Sequence, residues 1–220
     1  MLSDRGPRTD GVLRTSRVLY PITALGPGRR LGIWLQGCTL ACRGCMSRDT
    51  WDAAGGTEVT VDDLLRTWHG AVRAGAEGLT ISGGEPLQQA AVLAEFLDAA
   101  SVADRDVLLY TGYELDELNG QQADVLHRVD AVVTGRYSAG EPTRLIWRGS
   151  ANQRLVPLTP LGEQRYRHFV DLAPVRAPVQ VRVDDGVLWV VGVPPAGTLP
   201  KVERNLRDQG IVFEEAAWRP

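Results

Sequence analysis

Apolar and polar positions along this chain predict strands and helices by turns. Residues 14–22 carry Val18, Leu19 and Ile22 and read as an edge strand. Residues 31–36 are a short apolar run, predicted as a buried strand that ends at Gly37. After a brief extended stretch at 57–61, Val61, Leu64, Leu65, Trp68 and Val72 fall at helical spacing, with Thr60 placed to cap the helix and Gly75 to end it. A second strand at 78–82 runs into Gly83 and Gly84. Pro86 then opens a helix bearing Leu87, Ala91, Ala94 and Leu97. Strands follow at 106–111 and 131–134, separated by short helical pieces at 115–118 and 123–129. Residues 144–154 read as a polar surface loop containing Trp147, and 160–176 show too little periodicity to place. Residues 179–183 alternate, Asp185-Gly186 signals a hairpin, 187–193 return, and Leu199, Val202 and Leu206 make a short helix stopped by Gly210.

Strands alternating with helices imply a parallel sheet with right-handed crossovers. The fold class expected is α/β: a partial, laterally open (β/α) barrel with mainly parallel strands, plus a C-terminal β-hairpin and helix. The expected division is an arm and edge strand at 1–30, with its first dozen residues mobile, a core at 31–160, and an extension at 161–220 packed on the core. Ligands in such folds bind at the C-terminal ends of the strands. That places chemistry in the loops at 38–45, 82–86, 111–113 and 134–137.

Composition narrows the class. The chain has 220 residues, 44% hydrophobic and 23% charged, which suits a soluble globular protein. A net charge of −3 gives no electrostatic case for nucleic acid. No run approaches the ~18–20 apolar residues of a membrane span. The polar N-terminus lacks the apolar region of a secretory signal, so a cytoplasmic location is expected.

All the cysteines fall in one loop: Cys38, Cys42 and Cys45, spaced C-x3-C-x2-C. Three thiolates so spaced can grip three corners of a small iron–sulfur cluster, whose usual complement is four cysteines. One iron would stay open to a small molecule. The alternatives are buried apolar cysteines or a zinc site. Structural zinc prefers four closed ligands, and His69, His127 and His168 lie far off in sequence. His69 reads as a surface or packing residue of its helix. An odd cysteine count argues against a disulfide framework. Glu85 follows two glycines at a strand end, where a carboxylate gains little from packing and is free to meet a cationic amine. The plain alternative is a strand-to-helix turn.

C-x3-C-x2-C followed by Gly83-Gly-Glu-Pro86 resembles the signature of the radical S-adenosylmethionine (SAM) superfamily. Finer matches resemble its glycyl-radical activating branch, above all the anaerobic ribonucleotide reductase activating proteins. They are Gln36-Gly-Cys38, Arg43-Gly-Cys45, Thr50-Trp51, the stretch from Thr80 to Gln88, Tyr110-Thr-Gly-Tyr113, Gly135-Arg-Tyr137, Trp147-Arg-Gly-Ser150 and Asn152-Gln153. Together they cover about 31–156. Met46-Ser47 depart from the branch, which usually has an aromatic and Asn there.

The resemblance implies a 4Fe–4S cluster on Cys38, Cys42 and Cys45. It implies a SAM site at Ser82, Gly83, Gly84, Glu85 and Pro86, with Thr111 and Gly112 near the adenosyl group. The activity implied is reductive cleavage of SAM to a 5′-deoxyadenosyl radical that takes hydrogen from a glycine of a partner enzyme. The electron would come from an external donor such as flavodoxin or ferredoxin. A short, laterally open site suits closure by a protein substrate; Arg144, Trp147, Arg148 and Arg154 are the docking residues this suggests, the plain alternative being a solvated loop with one core Trp. Two other functions fit the same motifs: a stand-alone radical SAM enzyme acting on a metabolite or peptide, and a non-catalytic iron–sulfur module.

Overall fold

The computed structural model describes residues 11–184, 186–195, 197–212, 214–217 and 219. The mobile arm expected at the N-terminus therefore falls mostly outside the described residues, as does Asp185 of the hairpin turn. Nine strands are described: β1 (Val12–Ile22), β2 (Arg30–Leu35), β3 (Thr57–Thr60), β4 (Gly78–Gly83), β5 (Asp106–Tyr110), β6 (Ala131–Thr134), β7 (Arg154–Pro157), β8 (Val179–Asp184) and β9 (Val187–Gly192). The α-helices are α1 (Val61–Arg73), α2 (Ala90–Ala100), α3 (Gly120–Leu126), α4 (Pro160–Tyr166) and α5 (Thr198–Asp208).

Seven strands form one sheet in the order β3-β1-β2-β4-β5-β6-β7, and β8 and β9 form a separate hairpin. The central run β2-β4-β5-β6 is parallel, while β1, β3 and β7 add antiparallel flanks. The sheet is open, as expected. The edge expected at β1 is corrected: β1 pairs with β2 on one side and with β3 on the other. A second correction concerns 144–154, whose last residue already belongs to β7. Arg154 and Pro157 bracket only two aliphatic residues, too few to register as a strand pattern.

Leu31, Ile33, Leu35, Leu79, Ile81, Leu109 and Val132 share a core with Leu64 and Trp68 of α1, and with Leu93, Phe96 and Val125 of α2 and α3. Thr60 caps α1 as its sequence suggests, accepting from Asp63 N. The opposite face is covered too. There Leu108 and Val133 meet Trp147 and Tyr166, and Trp34 and Leu19 meet Val191 of β9. Every residue of β2 is buried, the state expected of a central parallel strand covered on both faces.

The segment 160–176, unplaced by its periodicity, holds α4. Thr159 caps it, accepting from Gly162 N, and Pro160 opens it. Gly162 lets the helix close on β6, since a Cβ there would stand 1.8 Å from Asp130 O.

Beneath this face lies a charged knot. Arg30 and Asp106 are each 0% exposed and pair at 2.7 Å. Arg30 Nε donates to Thr80 at 2.7 Å, and its Nη2 donates to Leu79 O at 2.6 Å. Tyr166 donates its hydroxyl to Asp106, and Arg165 pairs with the other carboxylate oxygen at 2.6 Å. Burial alone would lower the Arg30 pKa, but Tyr166 and Asp106 outweigh it and hold it above the usual arginine value. Asp106 thus fastens α4 to the sheet. Asp106→Ala is expected to cost about 3–5 kcal/mol, because it strands a buried guanidinium. That would be read as a lower urea midpoint; an unmoved midpoint would show that the knot carries no stability.

Candidate functional site

The four parallel strands end on one rim. The register pairs Leu35 with Gly83 and Tyr110 with Val133, so the loops leaving the strands stand side by side. The cysteine loop leaves β2 and folds under its own main chain. Gly37 N donates to Thr50 O at 2.8 Å and Cys38 N to Trp51 O at 3.0 Å. Gln36 Nε2 holds the same strap through Asp49 O at 3.0 Å and Asp52 O at 2.8 Å. The loop needs left-handed backbone at Gly37 (φ 98), Ala41 (φ 46) and Gly44 (φ 81).

Main-chain bonds tie this loop to the next one. Gly84 N donates to Leu35 O and Glu85 N to Gly37 O, both at 2.8 Å. A Cβ on Gly83 would stand 2.2 Å from Leu35 O, and one on Gly84 would stand 2.3 Å from Gly37 O. The glycines expected to admit a ligand therefore serve first to let two loops touch.

Cys38, Cys42, Cys45, Ser82, Gly84, Glu85, Thr111 and Gly112 line one cavity of about 140 Å³. Of the site residues expected from the motifs, Gly83 and Pro86 do not line it: Gly83 faces Leu35, and Pro86 is buried at the start of a 3-10 turn. Leu40, Trp51, Tyr110, Gly135, Tyr137 and Gln153 complete the wall. Five of these six lay inside motif matches; Leu40 carried no signal beyond its place between two cysteines.

Glu85 departs from its expected freedom. It is 1% exposed and braces the rim. Its carboxylate accepts from Leu87 N at 2.9 Å, Thr111 Oγ1 at 2.9 Å and Gly112 N at 2.7 Å. Burial nevertheless pushes its pKa up, against those three donors and Arg136. A carboxyl raised in the fold contributes its stability below the ordinary value of 4.5 and loses it as pH rises through the raised one.

All three cysteines are unpaired and partly exposed. Burial raises the Cys38 and Cys45 thiols, while N–H groups oppose it: Leu40 and Ala41 at Cys38, Ser47 and the Trp51 side chain at Cys45. Ser47 N lies 3.4 Å from Cys45 Sγ. Such thiols shed their protons when a metal takes the sulfurs. Among the described residues, no three His, Cys, Asp or Glu side chains are placed to hold a single ion. A four-iron cluster asks for something else, since each thiolate holds its own iron. The donor set and the N–H groups around the sulfurs fit a cluster.

A family profile described as a 4Fe-4S single cluster domain matches residues 24–156. Anaerobic ribonucleoside-triphosphate reductase-activating proteins are similar to this chain as well. That of Enterobacteria phage T4 is 33% identical over 143 residues, 62% of this chain and 90% of the relative. That of Haemophilus influenzae is 35% identical over 148 residues, 61% of this chain and 92% of the relative. The chain belongs to this family. The Escherichia coli K12 member is 33% identical, again with 92% of its length covered. A solved structure, QueE from Escherichia coli, overlaps 56% of this chain and 71% of its own at a TM-score of 0.42 and 17% identity.

The docking residues suggested by sequence are corrected in part. Trp147 is 5% exposed and Arg148 6%. Trp147 packs on Phe169 with ring centroids 4.5 Å apart, and Arg148 donates to Phe169 O at 3.2 Å and Val170 O at 2.5 Å. An apolar Ile146-Trp147 pair drew the loop inward. Arg144 and Arg154 remain exposed.

Two outcomes follow. Glu85→Ala leaves two N–H groups and a hydroxyl without their acceptor, and is expected to lower stability by about 1–3 kcal/mol in a denaturant titration. Full stability would return Glu85 to a purely ligand-binding role. Gly84→Ala is expected to loosen the cysteine loop and reduce iron retained after anaerobic reconstitution. Gly140→Ala, where a Cβ meets nothing within 4 Å, should retain it; equal retention in both variants would count against the loop contact.

Proposed function

We propose that this chain is an activating enzyme that places a radical on a glycine of a partner anaerobic ribonucleotide reductase. The observation that carries the reading is the meeting of Cys38, Cys42 and Cys45 with Glu85, Thr111 and Gly112 on one cavity. The family named for reductase activation supplies the partner class. Cys38, Cys42 and Cys45 would hold a 4Fe–4S cluster, three thiolates for a group whose usual complement is four. Once bound, the cluster and SAM supply one-electron cleavage of a sulfur–carbon bond, the source of a carbon radical able to take hydrogen from a glycine.

The chain's own residues do the placing. Glu85 sets negative charge on the cavity wall for the ammonium of SAM, and Ser82 and Gly84 flank it. Thr111 and Gly112, already bonded to Glu85, carry its position to the next loop, toward the adenosyl group. The N–H groups of Leu40, Ala41 and Ser47 stabilise charge on the sulfurs, one of the terms that sets a cluster's potential. Trp51 and Tyr137 narrow the cavity against water. An electron donor of the flavodoxin or ferredoxin class, in a reducing cytoplasm, completes the cycle. The open sheet, taken as a partial barrel, leaves a side for the partner to close.

Anaerobic reconstitution is expected to give about four iron and four sulfide per chain, lost in the triple Cys→Ala variant. Reduced enzyme, SAM and the reductase should then yield a glycine-centred doublet in electron paramagnetic resonance. Steady 5′-deoxyadenosine release with a small molecule, and no protein radical, would overturn the activase reading.

A further inference from the structure

A groove lies between the loop 142–149 and the C-terminal segment, and it shares Tyr137 with the cysteine cavity. Its near wall is the loop 142–149, with Arg144 and Trp147. Its far wall carries Val175 and Pro195. It encloses about 80 Å³, less than the cysteine cavity, and is otherwise open to solvent. Tyr137 is fixed between the cysteine loop and this groove: a Cβ on Gly149 would stand 2.9 Å from its ring, and one on Gly44 3.3 Å.

Three features of the groove ask for an occupant. The first is Trp147, which is 5% exposed, while its indole Nε1 has no hydrogen-bond partner among the described residues. Its backbone is left-handed at φ 60, which costs a non-glycine residue roughly 1–2 kcal/mol. Packing against Phe169 and Tyr166 holds it there. Such strain is found where a side chain must be presented in one position. The second is Val175, an aliphatic side chain 94% exposed at the rim. The third is Arg144, exposed and without an ion pair among the described residues.

An unmet N–H donor buried in the groove wall, with an apolar contact and a cation exposed at the rim, complements an extended polypeptide that seats against that wall. The donor suits a main-chain carbonyl, and the cation suits a carboxylate side chain. A compact metabolite would lie exposed on its open side. The family match stops at residue 156, and Val175 and Pro195 lie beyond it.

We propose that this groove receives an extended, glycine-bearing segment of the partner protein with an acidic side chain flanking the glycine. Tyr137 marks the point where the segment turns into the cysteine cavity. The proposal rests on the reading of this chain as a glycyl-radical activase.

The test uses the reconstituted full chain and the anaerobic ribonucleoside-triphosphate reductase of the same organism as the probe. Arg144→Glu combined with Val175→Glu changes only exposed side chains. The double variant should keep its thermal midpoint, its iron and its partner-free SAM cleavage by dithionite. Its affinity for the reductase, measured by calorimetry under nitrogen, is expected to fall about ten-fold or more, with a matching fall in glycyl-radical yield at low reductase. Trp147→Phe, which keeps a ring and removes the donor, should weaken binding less. If the unsubstituted chain yields the glycine doublet and the double variant binds as tightly, the groove assignment is overturned and the activase reading stands. If the unsubstituted chain neither binds the reductase nor yields the doublet, both are overturned.

Discussion

Two missing Cβ atoms set the distance between the halves of this site. The parallel pairing of β2 with β4 continues past both strand ends, because Gly84 and Glu85 donate to Leu35 and Gly37. Any side chain at Gly83 or Gly84 would enter the space of those carbonyls. The loop that carries the thiols and the loop that carries the carboxylate are therefore joined through main chain. Thr111 and Gly112 extend the same brace to β5 through Glu85. A residue chosen for chemistry is also a structural tie, so the site does not separate into a scaffold and a reactive set.

The other face of the sheet obeys a different constraint. Arg30 and Asp106 bury opposite charges in full, an arrangement worth keeping only where every donor and acceptor is met. Thr80, Leu79, Tyr166 and Arg165 meet them. Two of these partners come from α4, so the extension is part of the knot. Above it, the aromatic contact of Trp147 with Phe169 orders the loop beside the cysteine cavity.

Much of this was legible in the sequence because its signals are local. Strand periods, the Thr60 cap, the Gly-Gly-Glu-Pro turn and the cysteine spacing each name their own conformation within a few residues. The three cysteines and Glu85 were found that way, and the cavity gathers them. What stayed hidden depends on contacts across the chain. Nothing near Arg14 announces that Glu58 will lie opposite it and that β1 is internal. Nothing near Glu85 announces the N–H of Gly112. Trp147 and Arg148 look like surface residues until Tyr166 and Phe169 arrive from a segment with no periodicity of its own. Helix α4 was missed because its buried contacts rest on a glycine and a tyrosine rather than on an apolar stripe.

The boundary of the family match at residue 156 cuts through a packed layer. On the far side of that boundary, Tyr166 covers Leu108 and Val133, and Val191 covers Trp34 and Leu19. A fragment trimmed to the matched region would keep every thiol yet bare one aliphatic face of its sheet to water and strip two partners from Asp106. Such a fragment would be prone to precipitate before it could load iron. Swapping this chain with a shorter relative in the cell is thus a question of solubility and turnover as much as of chemistry.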